Sequence, residues 1–268
     1  MDKKNQITEG VIWKQLLIFF FPIMVGTLFQ QLYNTVDAII VGRFVGKQAL
    51  ASVGGSAAVL TNFVVGFFTG LSAGATVIIS QFYGAKNLKQ LSKGLHTAYA
   101  FSITVSILIS VIGWFSTPAL LHLLKTPADV IPDSILYLRI YFLGMIFTLT
   151  YNMGSSIMRA IGDSRRPLIY LVICCVINII LDILFVIVFH MGIAGAAIAT
   201  VISQGVSAIL VTRSLMKSYG ILKLELRAIR FHGALLKSEL KIGLPGGIQS
   251  FGYSISNIII QAVINNFG

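Results

Sequence analysis

Six stretches of this chain are too long and too apolar to be held in water: residues 15–42, 50–83, 94–116, 133–158, 167–190 and 192–214. A helix needs about 20 consecutive apolar residues to cross a hydrocarbon core. The second stretch is long enough to tilt or to project beyond the bilayer. A seventh begins near Leu240 and runs to the C-terminus. Composition agrees, with 56% hydrophobic and 11% charged residues, where soluble domains carry about 25% charged. The mean hydropathy is +0.87. The first stretch is too long for the apolar part of a cleavable signal, and no small-residue cleavage motif ends it. The expected fold class is all-α integral membrane.

The end of the chain repeats its beginning. At an offset of 223 residues, Pro245 falls on Pro22, Lys237 on Lys14, Leu240 on Leu17, Asn257 on Asn34 and Phe267 on Phe44. A duplicated hydrophobic bundle is a signature of secondary transporters. The expected organisation is a six-helix transmembrane lobe over 1–216, a cytoplasmic linker over 217–239, and over 240–268 the first helix of a second lobe, cut short.

Basic residues set the orientation, because Lys and Arg favour cytoplasmic loops. One alternating set of gaps holds 16 of the 20 Lys and Arg: Lys3, Lys4, Lys14, Lys86, Lys89, Lys93, Arg159, Arg165 and Arg166, and seven between Arg213 and Lys241. The N-terminus is therefore expected in the cytoplasm. Six spans per unit would start the second copy on the same side, making the repeats parallel. The net charge of +11 meets anionic lipid. A nucleic-acid partner would want a basic, aromatic-bearing soluble surface, and no loop offers one. The linker is read as a tether, with an amphipathic membrane-surface segment as the alternative.

Adjacent Cys174 and Cys175 cannot easily bridge and read as small apolar fillers. His96, His122, His190 and His232 lie at span ends or in loops and share no metal-ligand spacing. No nucleophile–base pair or metal cluster suggests a membrane enzyme, and no cofactor is expected.

The chemistry rests on acid inside the membrane. Of nine acidic residues, only Asp37 and Asp182 fall within spans. Arg139 also falls within one, near its outer end and within reach of Asp133. A mid-membrane Asp costs about 2.5–3.5 kcal/mol on insertion scales and is by default a functional candidate. Asp37, Asp182 and Thr200 each lie about 12–14 Å below the outer boundary at 1.5 Å per residue. Three helices thus offer polar groups at one level. Gln30, Tyr33, Asn34 and Asp37 share a face at i, i+3, i+4 and i+7. Asn178 and Asp182 are an i, i+4 pair. Thr200, Ser203, Gln204 and Ser207 stripe the sixth span, and Tyr137, Tyr141, Thr148, Asn152 and Ser155 the fourth. In lipid such faces turn inward. Helix–helix glue explains some of this, but glue does not need two carboxylates. Two acids in a low-dielectric pocket cannot both stay charged cheaply, and they titrate as a unit. Asp37, Asn178, Asp182 and Thr200 offer oxygen ligands suited to a hard cation such as Na⁺. The expectation is a proton- or sodium-binding site. Pro22 removes a backbone donor inside the first span, so a kink or hinge is expected there. Gly66, Gly70 and Gly74 read as a packing run.

Pro22 with Gln30-Gln31-Leu32-Tyr33-Asn34-Thr35-Val36-Asp37, the loop Arg159-Ala160-Ile161-Gly162-Asp163 before Pro167, Asn178-Ile179-Ile180-Leu181-Asp182, and Gly192-Ile193-Ala194-Gly195-Ala196-Ala197 leading to Thr200 together resemble the MATE (multidrug and toxic compound extrusion) transporters. The resemblance implies twelve helices in two six-helix lobes. It implies alternating access and H⁺- or Na⁺-driven export of small amphipathic organic compounds across the plasma membrane, with a lipid-linked saccharide flippase as the alternative. It also implies a cation site of Asp37, Asp182, Asn178, Thr200 and Tyr137, with Gln30, Tyr33, Asn34, Tyr141 and Asn152 lining the substrate cavity. The missing C-terminal lobe would be the chain's partner.

Overall fold

A computed structural model describes residues 12–217 and 223–265. Lys3, Lys4, residues 218–222 of the linker and Phe267 lie outside them. The described residues are helical, with no strand among them. The order is α1 (Ile12–Phe44), α2 (Lys47–Ser52), α3 (Ala58–Gly84), α4 (Leu88–Leu123), α5 (Ile131–Leu143), α6 (Met145–Ala160), α7 (Arg165–Asp182), α8 (Gly192–Lys217) and α9 (Gly233–Ile264). A π-turn, Val53–Ala57, joins α2 to α3, and a second, Ile183–Val188, follows α7.

Among the described residues, five helical segments are long and apolar enough to cross a membrane: Trp13–Phe44, Lys47–Gly84, Leu88–Leu123, Arg165–Val188 and Gly192–Lys217. The expected fourth span, 133–158, is not one straight helix. It breaks at Gly144 between α5 and α6 with a bend of 50°, and the pair makes a sixth span if taken together. Two contacts fix the break. Ser110 of α4 donates to the Phe142 carbonyl at 2.6 Å, satisfying an acceptor near the end of α5. A Cβ on Gly144 would run into Val201 of α8. The seventh expected helix is present as α9, starting at Gly233 rather than 240.

Large apolar side chains remain on the outside, as expected where the solvent is lipid. They include Trp13, Leu17, Phe20 and Leu32 of α1, and Ile107, Val111 and Phe115 of α4. The buried centre is built from Phe68, Tyr99, Phe142, Met145, Leu149 and Met153. Gly113 leaves room for the Phe142 ring. Pro22 lies inside α1, which continues through it as one helix. Cys174 and Cys175 are buried and free. Arg139 does not pair with Asp133. Its guanidinium lies over the Trp114 ring, 5.3 Å from the centroid, a cation–π contact that suits a cation held among aromatic side chains.

α9 docks on α3 through glycines. A Cβ on Gly70 would strike the backbone of Gly246 and Gly247, and one on Gly74 the backbone of Glu239 and Gly243. The third glycine of the run, Gly66, has nothing within 4 Å of such a Cβ. Close backbone approach through small residues is how membrane helices pack. Gly74→Val is accordingly expected to destabilise the protein by about 1–3 kcal/mol, as overpacking does, lowering the midpoint of unfolding in detergent. Gly66→Val is expected to leave that midpoint nearly unchanged.

Candidate ion and substrate site

One face of α1 carries Pro22, Gly26, Thr27, Gln30, Tyr33, Asn34 and Asp37 into a cavity of about 670 Å³. The spacing is the helical repeat, so the seven positions share one wall. Tyr137 and Tyr141 of α5 stand on another, their rings stacked with centroids 6.1 Å apart. Beyond the break, α6 adds Thr148, Tyr151, Asn152, Ser155 and Arg159. The polar stripe expected on a single fourth span is thus split over two bent helices that still face the same space.

The acids meet at the edge of this cavity. Asp37 lies on its wall and is 7% exposed, whereas Asp182 is fully buried behind it. The two side chains come close enough to interact directly. Asn178, one turn before Asp182, donates its Nδ2 to Thr200 Oγ1 at 3.5 Å. Thr200 in turn donates to the Ala196 carbonyl at 3.0 Å. The structure therefore brings Asp37, Asn178, Asp182 and Thr200 together, with Tyr137 on the neighbouring wall. Asp182 is the last residue of α7 before the π-turn Ile183–Val188. Such turns are frequent at functional positions.

The hydrogen bonding of this cluster is lopsided. Asp37 Oδ1, Asn178 Oδ1 and both oxygens of Asp182 are buried without a donor. Buried acceptors are nearly always paired, and leaving one unpaired costs about 1–3 kcal/mol. Four acceptor oxygens from two helices suit a shared proton or a hard cation. No group of three or more His, Cys, Asp or Glu that could hold a metal occurs among the described residues. The donor set is thus carboxylate, amide and hydroxyl oxygen.

Thr27 and Tyr151 of the cavity wall escaped the sequence reading, as did two larger contributions. α3 supplies Thr61, Asn62 and Thr69 to the cavity, a weak stripe at near-helical spacing hidden in a strongly apolar span. Arg159, counted there among the cytoplasmic loop cations, occupies the last turn of α6 and lines the cavity. It donates to Ser156 Oγ at 3.1 Å. Nearby, Asp163 accepts from the backbone N–H of Arg165 and Arg166 at 3.2 and 3.1 Å. It thereby closes the Arg159–Asp163 loop over the start of α7, as an N-terminal capping residue does.

A family model described as MatE matches residues 22–184, and the chain belongs to that family. The probable multidrug resistance protein YpnP of Bacillus subtilis (strain 168) is 33% identical over 272 residues, an alignment covering 99% of this chain and 59% of the relative. The multidrug export protein MepA of Staphylococcus saprophyticus is 21% identical over 260 residues, covering 97% and 57%. A crystal structure of MATE in the bent conformation superposes with a TM-score of 0.86 at 26% identity, covering 95% of this chain and 57% of that one. An inward-facing multidrug resistance MATE family transporter of the MOP superfamily gives 0.80 at 25% identity, covering 87% and 53%. The chain spans a little over half the length of these relatives.

If α1 presents its polar face to a wet cavity, single cysteines will report it. With Cys174 and Cys175 replaced by Ala, Gln30→Cys and Asn152→Cys are expected to react with a charged thiol reagent at least about tenfold faster than Leu32→Cys, which faces outward. Mass spectrometry of the labelled protein measures the rates. Equal rates would contradict the assignment of faces.

Proposed function

We propose that this chain forms the N-terminal lobe of a cation-coupled exporter of small amphipathic organic compounds, an antiporter working by alternating access. The observation that carries the reading is the set of donorless oxygens of Asp37, Asn178 and Asp182 beside a cavity rich in tyrosine and amide groups. Tyrosine rings offer flat apolar contact with a polar rim, which suits molecules with one greasy and one charged end. Asp37 and Asp182, with Asn178, Thr200 and Tyr137, would bind H⁺ or Na⁺. Gln30, Tyr33, Asn34, Tyr141 and Asn152 would contact substrate, and Pro22 would let α1 bend. Ion and substrate would then alternate, since each changes the charge that the other meets. An ion can shift the inward–outward equilibrium only by as much as it prefers one state.

The names of YpnP and MepA support multidrug export. The partial coverage of all four relatives supports a longer protein, in which a lobe over 1–216 is followed by a linker and, from α9 onward, by the start of a second lobe. The basic loops support a cytoplasmic N-terminus in the plasma membrane. A lipid-linked saccharide flippase is the second reading, and Arg159 in the cavity favours it. One cation is few for a pyrophosphate, which several Arg or Lys would hold.

Efflux of a fluorescent organic cation, from cells expressing the gene that encodes this chain, tests the main reading. Asp37→Asn and Asp182→Asn are each expected to reduce efflux at least about tenfold and to abolish its dependence on the H⁺ or Na⁺ gradient. Full, ion-dependent efflux by both variants would contradict it. Arg159→Gln is expected to spare export of the cation, whereas a flippase would lose transport of its anionic substrate.

A further inference from the structure

A second, smaller cavity lies apart from the first, where the start of α4 meets the linker. It measures about 250 Å³ and is lined by Ser92, Lys93, His96, Lys223, Glu225, Ala228, Arg230 and His232. The described linker is pinned to α4 by three hydrogen bonds. Glu225 N–H donates to His96 Nε2 at 3.1 Å. His232 N–H donates to Thr97 Oγ1 at 3.3 Å, and His232 Nδ1 lies 3.1 Å from the same oxygen. His96 Nδ1 stands 2.7 Å from the Ser92 carbonyl. With Nε2 accepting and Nδ1 facing a carbonyl, His96 is held as the neutral Nδ1–H tautomer. Its ring is buried, 4% exposed, and acts as a strut between helix and linker.

The charges around this cavity do not balance. Glu225 pairs with Lys223 at 3.7 Å. No carboxylate lies within ion-pair distance of Lys93 or Arg230 among the described residues. His232 Nε2 is buried without a partner. His232 is held below the usual histidine range by its burial first, and then by Arg230 and Lys93. Basic loop residues that only orient a membrane protein need no cavity between them and no braced walls. Here Lys93 comes from the helix and Arg230 from the linker, and both line the same cavity.

We infer that this cleft is a binding site for a phosphate group, held between Lys93 and Arg230 with His232 beside them. Charge-assisted contacts to phosphate are among the stronger hydrogen bonds; an Arg fork matches phosphate geometry, and a Lys adds a compact point charge. The volume admits a single phosphate and the start of its ester. The phosphate of an anionic phospholipid head group and that of a soluble phosphate compound share this chemistry. Occupancy ties the linker to α4, so the site couples anion binding to the hold of the six-helix unit on α9.

The whole chain, purified in detergent, is titrated with inorganic phosphate at constant ionic strength while its unfolding midpoint is followed. The midpoint of the wild type is expected to rise and saturate. The double variant K93Q/R230Q is expected to need at least about tenfold more phosphate. Arg227→Gln, on the exposed linker outside the cleft, is expected to behave as wild type. In parallel, protein from phosphatidylcholine nanodiscs containing phosphatidylglycerol is examined by native mass spectrometry. Phosphatidylglycerol retained by the wild type but not by K93Q/R230Q assigns the site to a lipid head group. Saturable stabilisation by phosphate without lipid retention assigns it to a soluble compound. Equal responses from all three proteins, or no response to phosphate together with no retained lipid, overturn the inference.

Discussion

A polar group in hydrocarbon has nowhere to find a partner except inside the protein. That constraint arranges this molecule. It leaves Leu32 and Phe20 outside on α1 and turns Gln30, Tyr33, Asn34 and Asp37 inward on the same helix. It sends Ser110 across to the carbonyl of Phe142, where α5 ends. It lays the Arg139 guanidinium over Trp114. The oxygens of Asp37, Asn178 and Asp182 stand out as buried acceptors that no donor of the described residues reaches.

The sequence carried the spans and one wall of the site because lipid enforces a simple code. A helix with one polar stripe can turn only one way, so the i, i+3, i+4, i+7 pattern from Gln30 to Asp37 maps directly onto the cavity wall. Asn178, Asp182 and Thr200 were legible together by depth, since rise per residue converts sequence position into height. Breaks were less legible. Gly144 gives way because Val201 of another helix crowds it, and nothing local announces that neighbour. The π-turn after Asp182 leaves no mark in a run of Ile, Leu, Phe and Val. Thr61, Asn62 and Thr69 sit in so apolar a span that their stripe is faint. Arg159 looks like a loop cation until the bend of α5 against α6 brings its turn beside the cavity.

The two cavities differ in their chemistry. The large one is carved from the faces of α1, α3, α5 and α6, and its chemistry is acceptor oxygen and aromatic surface. The small one is made where a helix start meets a linker, and its chemistry is cationic. The large cavity is lined in part by α3, whose Gly70 and Gly74 admit the backbone of α9. The helix that packs on α9 thus also lines the large cavity, and the linker before α9 is hydrogen-bonded to His96 and Thr97 of α4.

Isotope-edited infrared difference spectroscopy reads most directly whether the two acids trade one ion for another. With aspartate carboxyls labelled and the protein in lipid, addition of an organic cation should remove a protonated-carboxyl band, or the Na⁺-dependent carboxylate shift that replaces it. That change should vanish in Asp182→Asn. A spectrum in which the aspartate bands ignore both ion and substrate would contradict the account.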